Sequence, residues 1–175
     1  LSLALMLICF QALLGMWTVT LLVKPVIVTS HLLGGLATLS LLFYCALLAH
    51  LKHSSAQYRR LPNIAPILVK IGIVLLVAQI TLGGWVSTNY AVLVCTDIPT
   101  CQGQWWPDMD FAQGFHLLRA LGENGQGEPI SMAALTAIHM SHRLMAVLVA
   151  LTLWRYGAAL RGWRCDSGTS HSPHG

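Results

Sequence analysis

The chain has 175 residues, 55% of them hydrophobic and 9% charged, with a mean hydropathy of +0.66 and a formal net charge of +4. That composition excludes a disordered chain and argues for an integral membrane protein. The positive balance is not gathered into a basic patch, so nucleic acid is excluded as a partner.

A membrane-crossing helix needs roughly 20 apolar residues. Four stretches meet that requirement, over 1–23, 25–49, 64–94 and 130–154. Neither of the first two contains a charged residue. They are joined at Lys24–Pro25 by so short a link that they must lie antiparallel, and Pro25 suits a first helical turn, where its missing N–H has no partner to lose. No basic stretch precedes the first run, so it does not read as a cleavable signal, and Leu1 reads as a start inside a longer protein.

A polar linker over 50–63 follows the second stretch and carries Lys52, Arg59 and Arg60. Lys70 lies early enough in the third stretch for its ammonium to reach the interface. The loop 95–129 sets Asp97, Asp108, Asp110, Glu123 and Glu128 against Arg119, while Arg155, Arg161 and Arg164 follow the fourth stretch. Positive charge in the linker and tail places both in the cytoplasm and the acidic loop in the periplasm, across a bacterial inner membrane. Trp85, Tyr90, Trp105 and Trp106 then form an outer aromatic belt, with Trp154, Tyr156 and Trp163 at the inner face.

Inside the outer loop, Phe111, Phe115, Leu118 and Leu121 recur near helical spacing, which predicts a short amphipathic helix on the membrane surface over 108–122. The GENGQGE that follows reads as a flexible turn. Residues 161–175 read as a disordered tail in which His171 and His174 are exposed and idle. The fold class is all-α: an integral membrane four-helix bundle over residues 1–160 with a short surface helix in its outer loop.

A local echo links the first and third stretches. QALLGMWTVT (11–20) and QITLGGWVST (79–88) share Gln, Leu, Gly, Trp and Thr at matching places. Either the two helices are related in a pseudo-symmetric repeat, or glycine and amide serve ordinary helix packing.

His31 and His142 are the informative residues, because both fall inside apolar runs where ionisable side chains are costly and usually functional. Imidazole is the commonest metal ligand and the usual axial ligand of haem in helical proteins. His31 lies six residues into its stretch, roughly 9 Å below the outer end at 1.5 Å per residue, and His142 falls in the outer half of the fourth. Each has a small residue four places on, Gly35 and Ala146, leaving room on that face for a flat macrocycle. The plain alternative is a buried neutral histidine hydrogen-bonded between helices. Two at similar depth favour haem. Zinc is disfavoured, since no acid or thiol sits at ligand spacing from either ring.

Arg143 adds a guanidinium inside a membrane helix with no neighbouring carboxylate, and a haem propionate would serve as its counter-ion. His139, three residues before His142, is open to three readings: a group supporting the ligand, a proton relay, or an interfacial residue, the last preferred. His50 and His53 are placed at the inner interface, and His116 has no nameable partner. Cys95 and Cys101 flank TDIPT in an oxidising compartment and favour a disulfide, whereas Cys9 and Cys45 read as inert core residues and Cys165 lies on the reducing side.

The run QITLGGWVSTNYAVLVCTDIPTCQGQWWPDMDF, followed by the helix bearing IHMSHR, resembles the haem A synthase family. QALLGMWTVTLLVKPVIVTSHLLGG resembles that family's third and fourth helices, so the likeness covers about residues 1–160. It implies an eight-helix protein of two similar halves, of which this chain holds the middle four helices. It also implies conversion of haem O to haem A for cytochrome oxidase, by oxidation of a ring methyl to a formyl group with water as the apparent oxygen source.

By that resemblance His31 matches the second histidine of the N-terminal half, and His142 with Arg143 the first histidine of the C-terminal half. Cys95 and Cys101 match the outer-loop cysteine pair. The implied cofactors are haem O as substrate, with His31 an axial ligand, and haem b held partly by His142. Membrane lipid, haem O synthase and oxidase assembly proteins are the implied partners, with homo-oligomerisation left open. The family's Glu-x-x-His-Arg motif, whose glutamate is implicated in catalysis, has no counterpart: His139 stands at that offset before His142.

Taken alone, the residues imply a single haem shared by both rings, with ligating nitrogens about 4 Å apart, twice a metal–imidazole bond. The resemblance implies separate haems, and that reading is preferred. Two alternatives belong to other classes: a quinone-linked thiol oxidase using Cys95 and Cys101, and a non-catalytic haem-binding membrane subunit.

Overall fold

The structure, a computed structural model, describes residues 2–21, 24–53, 65–118, 120–124 and 126–169, with backbone alone at 53, 65 and 163–169. The expectations for Arg59, Arg60, Arg119, His171 and His174 therefore lie outside the described residues, as do those for the side chains of His53, Trp163, Arg164 and Cys165.

The fold is all-helical. Its elements are α1 (Ser2–Thr20), α2 (Pro25–His53), α3 (Ala65–Thr88), a 3₁₀ turn (Ala91–Leu93), α4 (Phe111–Gly114) and α5 (Met132–Thr169). Among them α1, α2, α3 and α5 are each long and apolar enough to cross a membrane. The long helices pack in chain order, α1 on α2, α2 on α3 and α3 on α5. Hydroxyls inside these helices bond back to their own turns, as Thr38 does to the Gly34 carbonyl at 2.8 Å and Ser141 to the Ala137 carbonyl at 2.7 Å. An apolar surround offers a hydroxyl no water, so the carbonyl one turn back takes its proton.

Helix ends depart from the hydrophobic runs for local reasons. α3 stops at Thr88 instead of running to 94, because Tyr90 turns left-handed (φ 54°) and the Asn89 amide donates to the Trp85 carbonyl at 2.7 Å. α5 begins where the Ser131 hydroxyl accepts the Ala134 N–H at 3.2 Å, an N-cap contact. It continues to Thr169, so 161–169 are helical where a disordered tail is expected. Leaving the apolar layer does not end a helix that meets no proline.

The buried core lies where the end of α3 and the start of α5 meet the loop 95–129. Trp85, Val86, Ala91 and Ile138 form one cluster, with Val94, Cys95, Cys101 and Met140 beside it. Trp85 is thus 5% exposed and belongs to the core, not to an aromatic belt, whereas Tyr90, Trp105 and Trp106 are exposed. Its indole N–H donates to the Gly114 carbonyl at 2.9 Å.

That bond, together with the close approach of Gly114 to α5, cuts the surface helix to four residues instead of the 108–122 span. A methyl at Gly114 would stand 2.8 Å from the Ala134 carbonyl oxygen, so the chain passes α5 there because glycine has none. The turn that follows is tied down as well: Asn124 accepts the Gln126 and Glu128 N–H groups at 2.8 and 3.0 Å. Cys9 and Cys45 are free and exposed on α1 and α2, not packed in a core.

Candidate functional site

The echo between α1 and α3 acquires a spatial meaning in the fold. His31, on α2, lays the edge of its ring on Gly15 of α1: a methyl there would meet Cε1 at 3.3 Å, Nε2 at 3.7 Å and Nδ1 at 3.8 Å. His142, on α5, does the same on Gly83 of α3, where the corresponding approaches are 3.2 Å to Cε1, 3.8 Å to Nδ1 and 3.9 Å to Nε2. One turn before each glycine stands the glutamine of the echo, Gln11 or Gln79, on the same helix face.

The glutamines behave differently. The Nε2 atoms of Gln79 and His142 lie 3.4 Å apart. Gln11 instead reaches across to α2 and covers Gly34, the space a methyl there would need. The amide atoms of Gln11 are buried without a partner among the described residues, as are Nδ1 of His31, Nδ1 of His142 and Oε1 of Gln79. Orphaned polar atoms of this kind in an apolar layer cost stability unless something else engages their groups. Of the small residues expected to make room for a macrocycle, Gly35 and Ala146 are exposed, while Gly34 is the one that receives Gln11.

Both imidazoles border one cleft between α2, α3 and α5, about 570 Å³ in volume. Gln79, Gly83, Gly84 and Thr88 line it with apolar Leu32 and Ile80. Its volume falls in the roughly 300–1,000 Å³ range of small-molecule and cofactor sites. The two rings therefore open on a common space, which departs from the expectation of separate compartments, although each rests on its own neighbouring helix.

Arg143 finds a different partner from the one its sequence context suggests. Its NH1 donates to the carbonyls of Asp97 (2.9 Å) and Thr100 (2.8 Å), and its NH2 to that of Cys95 (3.1 Å). Three converging carbonyl dipoles stabilise the cation, so a propionate is not required to explain it. A guanidinium has five N–H groups. Two of Arg143's are left over from these bonds among the described residues, available to a further anion.

The loop that Arg143 grips is closed on itself. Cys95 and Cys101 form a disulfide, and Cys101 exchanges backbone hydrogen bonds with Gln104 at 2.9 and 3.0 Å. The Asp97 carboxylate accepts the Thr100 hydroxyl and the N–H groups of Gln102 (2.8 Å) and Gly103 (3.0 Å). Those donors, the Thr100 hydroxyl foremost, pull its carboxyl down to about 2.

His139 is 7% exposed, beneath the 3₁₀ turn with its ring against the Ala91 carbonyl, so the interfacial reading does not hold. It does not line the cleft. His50 is exposed, and His116 borders a separate polar hollow in the loop between α3 and α5 with Asp110 and Asn124. Among the described residues no three His, Cys, Asp or Glu side chains gather as a metal-ion cage. The cleft instead offers two single imidazoles, small residues beside them and an apolar wall, a donor set that fits haem iron.

These features define a helical integral membrane protein whose intramembrane histidines sit against glycine on neighbouring helices. The family model described as cytochrome oxidase assembly protein, COX15-CtaA, matches residues 1–170. The chain is also similar to Heme A synthase of Shewanella oneidensis, 38% identical over 148 residues, which cover 85% of this chain and 44% of that relative. It belongs to the COX15-CtaA family. No solved structure matches it. The residues that the sequence alone leaves unassigned and that the fold sets against the histidines are Gly15 and Gly83, and the signal that marks them is the echo itself.

Proposed function

We propose that this chain forms the central part of a haem A synthase, converting haem O to haem A for cytochrome oxidase. The observation that carries the reading is the cleft bordered by His31 and His142, in a chain whose similar relative bears the name Heme A synthase. The reaction replaces a ring methyl by a formyl group: R–CH3 and water give R–CHO with release of four protons and four electrons. Two successive hydroxylations would give a gem-diol, which loses water to form the aldehyde.

In this reading haem O is the substrate and would be held through His31, while haem b is the resident group and would be held through His142. Bound there, haem b would supply electron transfer away from the substrate. The chain's own residues bind and orient. His31 and His142 offer ring nitrogens, Gly83 and Gly84 keep the wall of the cleft flat, and Leu32 and Ile80 keep water from it. The two donors left on Arg143 would meet a propionate. The disulfide loop, on the periplasmic side in this reading, holds Arg143 in register with His142.

One observation favours a second arrangement, a single haem ligated by both rings: they border the same cleft. Replacing each histidine separately decides between the two. With separate haems, His31→Ala and His142→Ala each remove a different spectral component; with one shared haem, both remove the same component. The thiol-oxidase alternative needs a second reactive pair, and Cys9 and Cys45 are free thiols within α1 and α2. The activity is tested with the full-length protein in membranes given haem O, following the mass change from methyl to formyl. Formation of the aldehyde product supports the reading. Haem O recovered unchanged, with the electron acceptors of the native membrane present, contradicts it.

A further inference from the structure

We infer that the repeated Gln-x-x-x-Gly element is a histidine cradle, used once for each imidazole, and that Gly15 and Gly83 are positioning residues for His31 and His142. The inference rests on the haem reading above and deepens it, by naming what aims the ligands.

Three independent observations meet in it. The sequence repeats Gln and Gly at the same spacing in α1 and α3, at 11 and 15 and at 79 and 83. The fold sets a histidine from the next packed helix against each glycine, with Cε1 3.3 Å from a methyl on Gly15 and 3.2 Å from one on Gly83. The same contact thus occurs on two different helix pairs. Finally, a ring nitrogen of each histidine, Nδ1, is buried without a hydrogen bond among the described residues, so a hydrogen bond at that atom is not what orients the ring. Contact with the glycine backbone takes that part.

The geometry explains why the residue must be glycine. A planar imidazole that turns its Cε1 edge to a helix keeps its two nitrogens on either side of the contact. With no side chain beneath it, the ring approaches the helix backbone closely and cannot tilt further toward it. Alanine in the same place would push Cε1 away by a few tenths of an ångström, because 3.2–3.3 Å is tighter than ordinary van der Waals contact. That displacement carries straight to Nε2 and alters how the ring meets an iron atom. Gln79 completes the second cradle. Its amide nitrogen lies 3.4 Å from Nε2 of His142 and steadies that edge of the ring, a contact that coordination of an iron atom through Nε2 would replace.

Gly72 supplies the control. It lies on α3 and faces α5 as Gly83 does, but a methyl there would meet Thr152 Cγ2 at an unstrained 3.8 Å. Alanine is the better helix former at both places by about 1 kcal/mol, so neither substitution threatens the fold.

The experiment purifies the full-length protein with Gly83→Ala, Gly15→Ala, Gly72→Ala, Gln79→Leu and His142→Ala. It records haem content, the reduced-minus-oxidised spectrum and the electron paramagnetic resonance of the oxidised form. Gly83→Ala should shift the signal that His142→Ala abolishes and weaken haem binding there roughly tenfold, as losses of ligand support do. Gly15→Ala should act likewise on the signal that depends on His31, and Gln79→Leu should shift the His142 signal by less. Gly72→Ala should match the parent. The cradle is overturned if Gly83→Ala also matches the parent, or if Gly72→Ala shifts the signal equally. A spectrum unchanged by His142→Ala overturns the haem reading itself, a separate outcome from either of those.

Discussion

The two histidine pairs of this chain share one motif and differ in everything that surrounds it. On α1 and α2, His31 rests on Gly15 with Gln11 buried and unpartnered among the described residues, and no described loop covers the pair. On α3 and α5, His142 rests on Gly83, Gln79 reaches its ring, and the next residue, Arg143, is locked to three carbonyls of the disulfide loop. The buried clusters of the structure gather around that second pair. The comparison teaches that the glycine contact aims a histidine, while rigidity comes from outside the motif. The second ring is braced and the first is free to be braced by something else.

Removing the brace is the strongest way to break that contrast. Arg143→Ala takes away three charge-assisted hydrogen bonds and should destabilise the loop region by about 3 kcal/mol, below a simple sum because the loop relaxes. Thermal unfolding of the purified protein should show a lower midpoint, with faster thiol labelling after mild reductant. Lysine should not rescue it, since an ammonium cannot present a planar fork to three carbonyls. A midpoint equal to that of the parent would place the brace elsewhere.

Opening the loop covalently is the next largest change. Joint replacement of Cys95 and Cys101 by serine should cost about 2 kcal/mol, from the short loop that the bond closes. The loss should appear as faster amide exchange over 95–104, with α1 and α2 unaffected. Equal changes in both pairs would erase the contrast.

Trp85→Phe should cost about 1 kcal/mol, through the lost indole bond to the Gly114 carbonyl, and should free α4 without moving His31. The smallest effect concerns pH. Asp97 is held down to about 2, so its contribution to loop order is fully present above the unfolded carboxylate range near 4. That contribution fades as pH falls through about 2. Asp97→Asn should remove this acid transition, followed as a change in fluorescence of the exposed Trp105 and Trp106. A transition of unchanged midpoint in the variant would assign it to another group.

What the sequence reveals and what it hides divide along physical lines. The four long helices are legible because hydrophobic runs of that length have few other uses, and His31 and His142 stand out because each is an ionisable side chain inside such a run. The Cys95–Cys101 pair is legible from its close spacing in one loop. The partners of Arg143 are not, since backbone carbonyls belong to every residue and leave no mark in the side-chain pattern. Trp85 looks interfacial by its position in the run, and its burial depends on where α4 and Gly114 come to rest. The cradle glycines lie between these cases: the echo displays them, but a contact between helices is visible only after the helices are packed.

The most direct test of the account compares reduced-minus-oxidised spectra of the full-length parent protein and its His142→Ala variant at equal protein concentration. The account predicts a haem signal in the parent and loss of the component that depends on the braced pair in the variant, with the protein still folded. Superimposable spectra from the two would contradict it, because the residue on which the cleft, the cradle and the brace converge would then hold nothing.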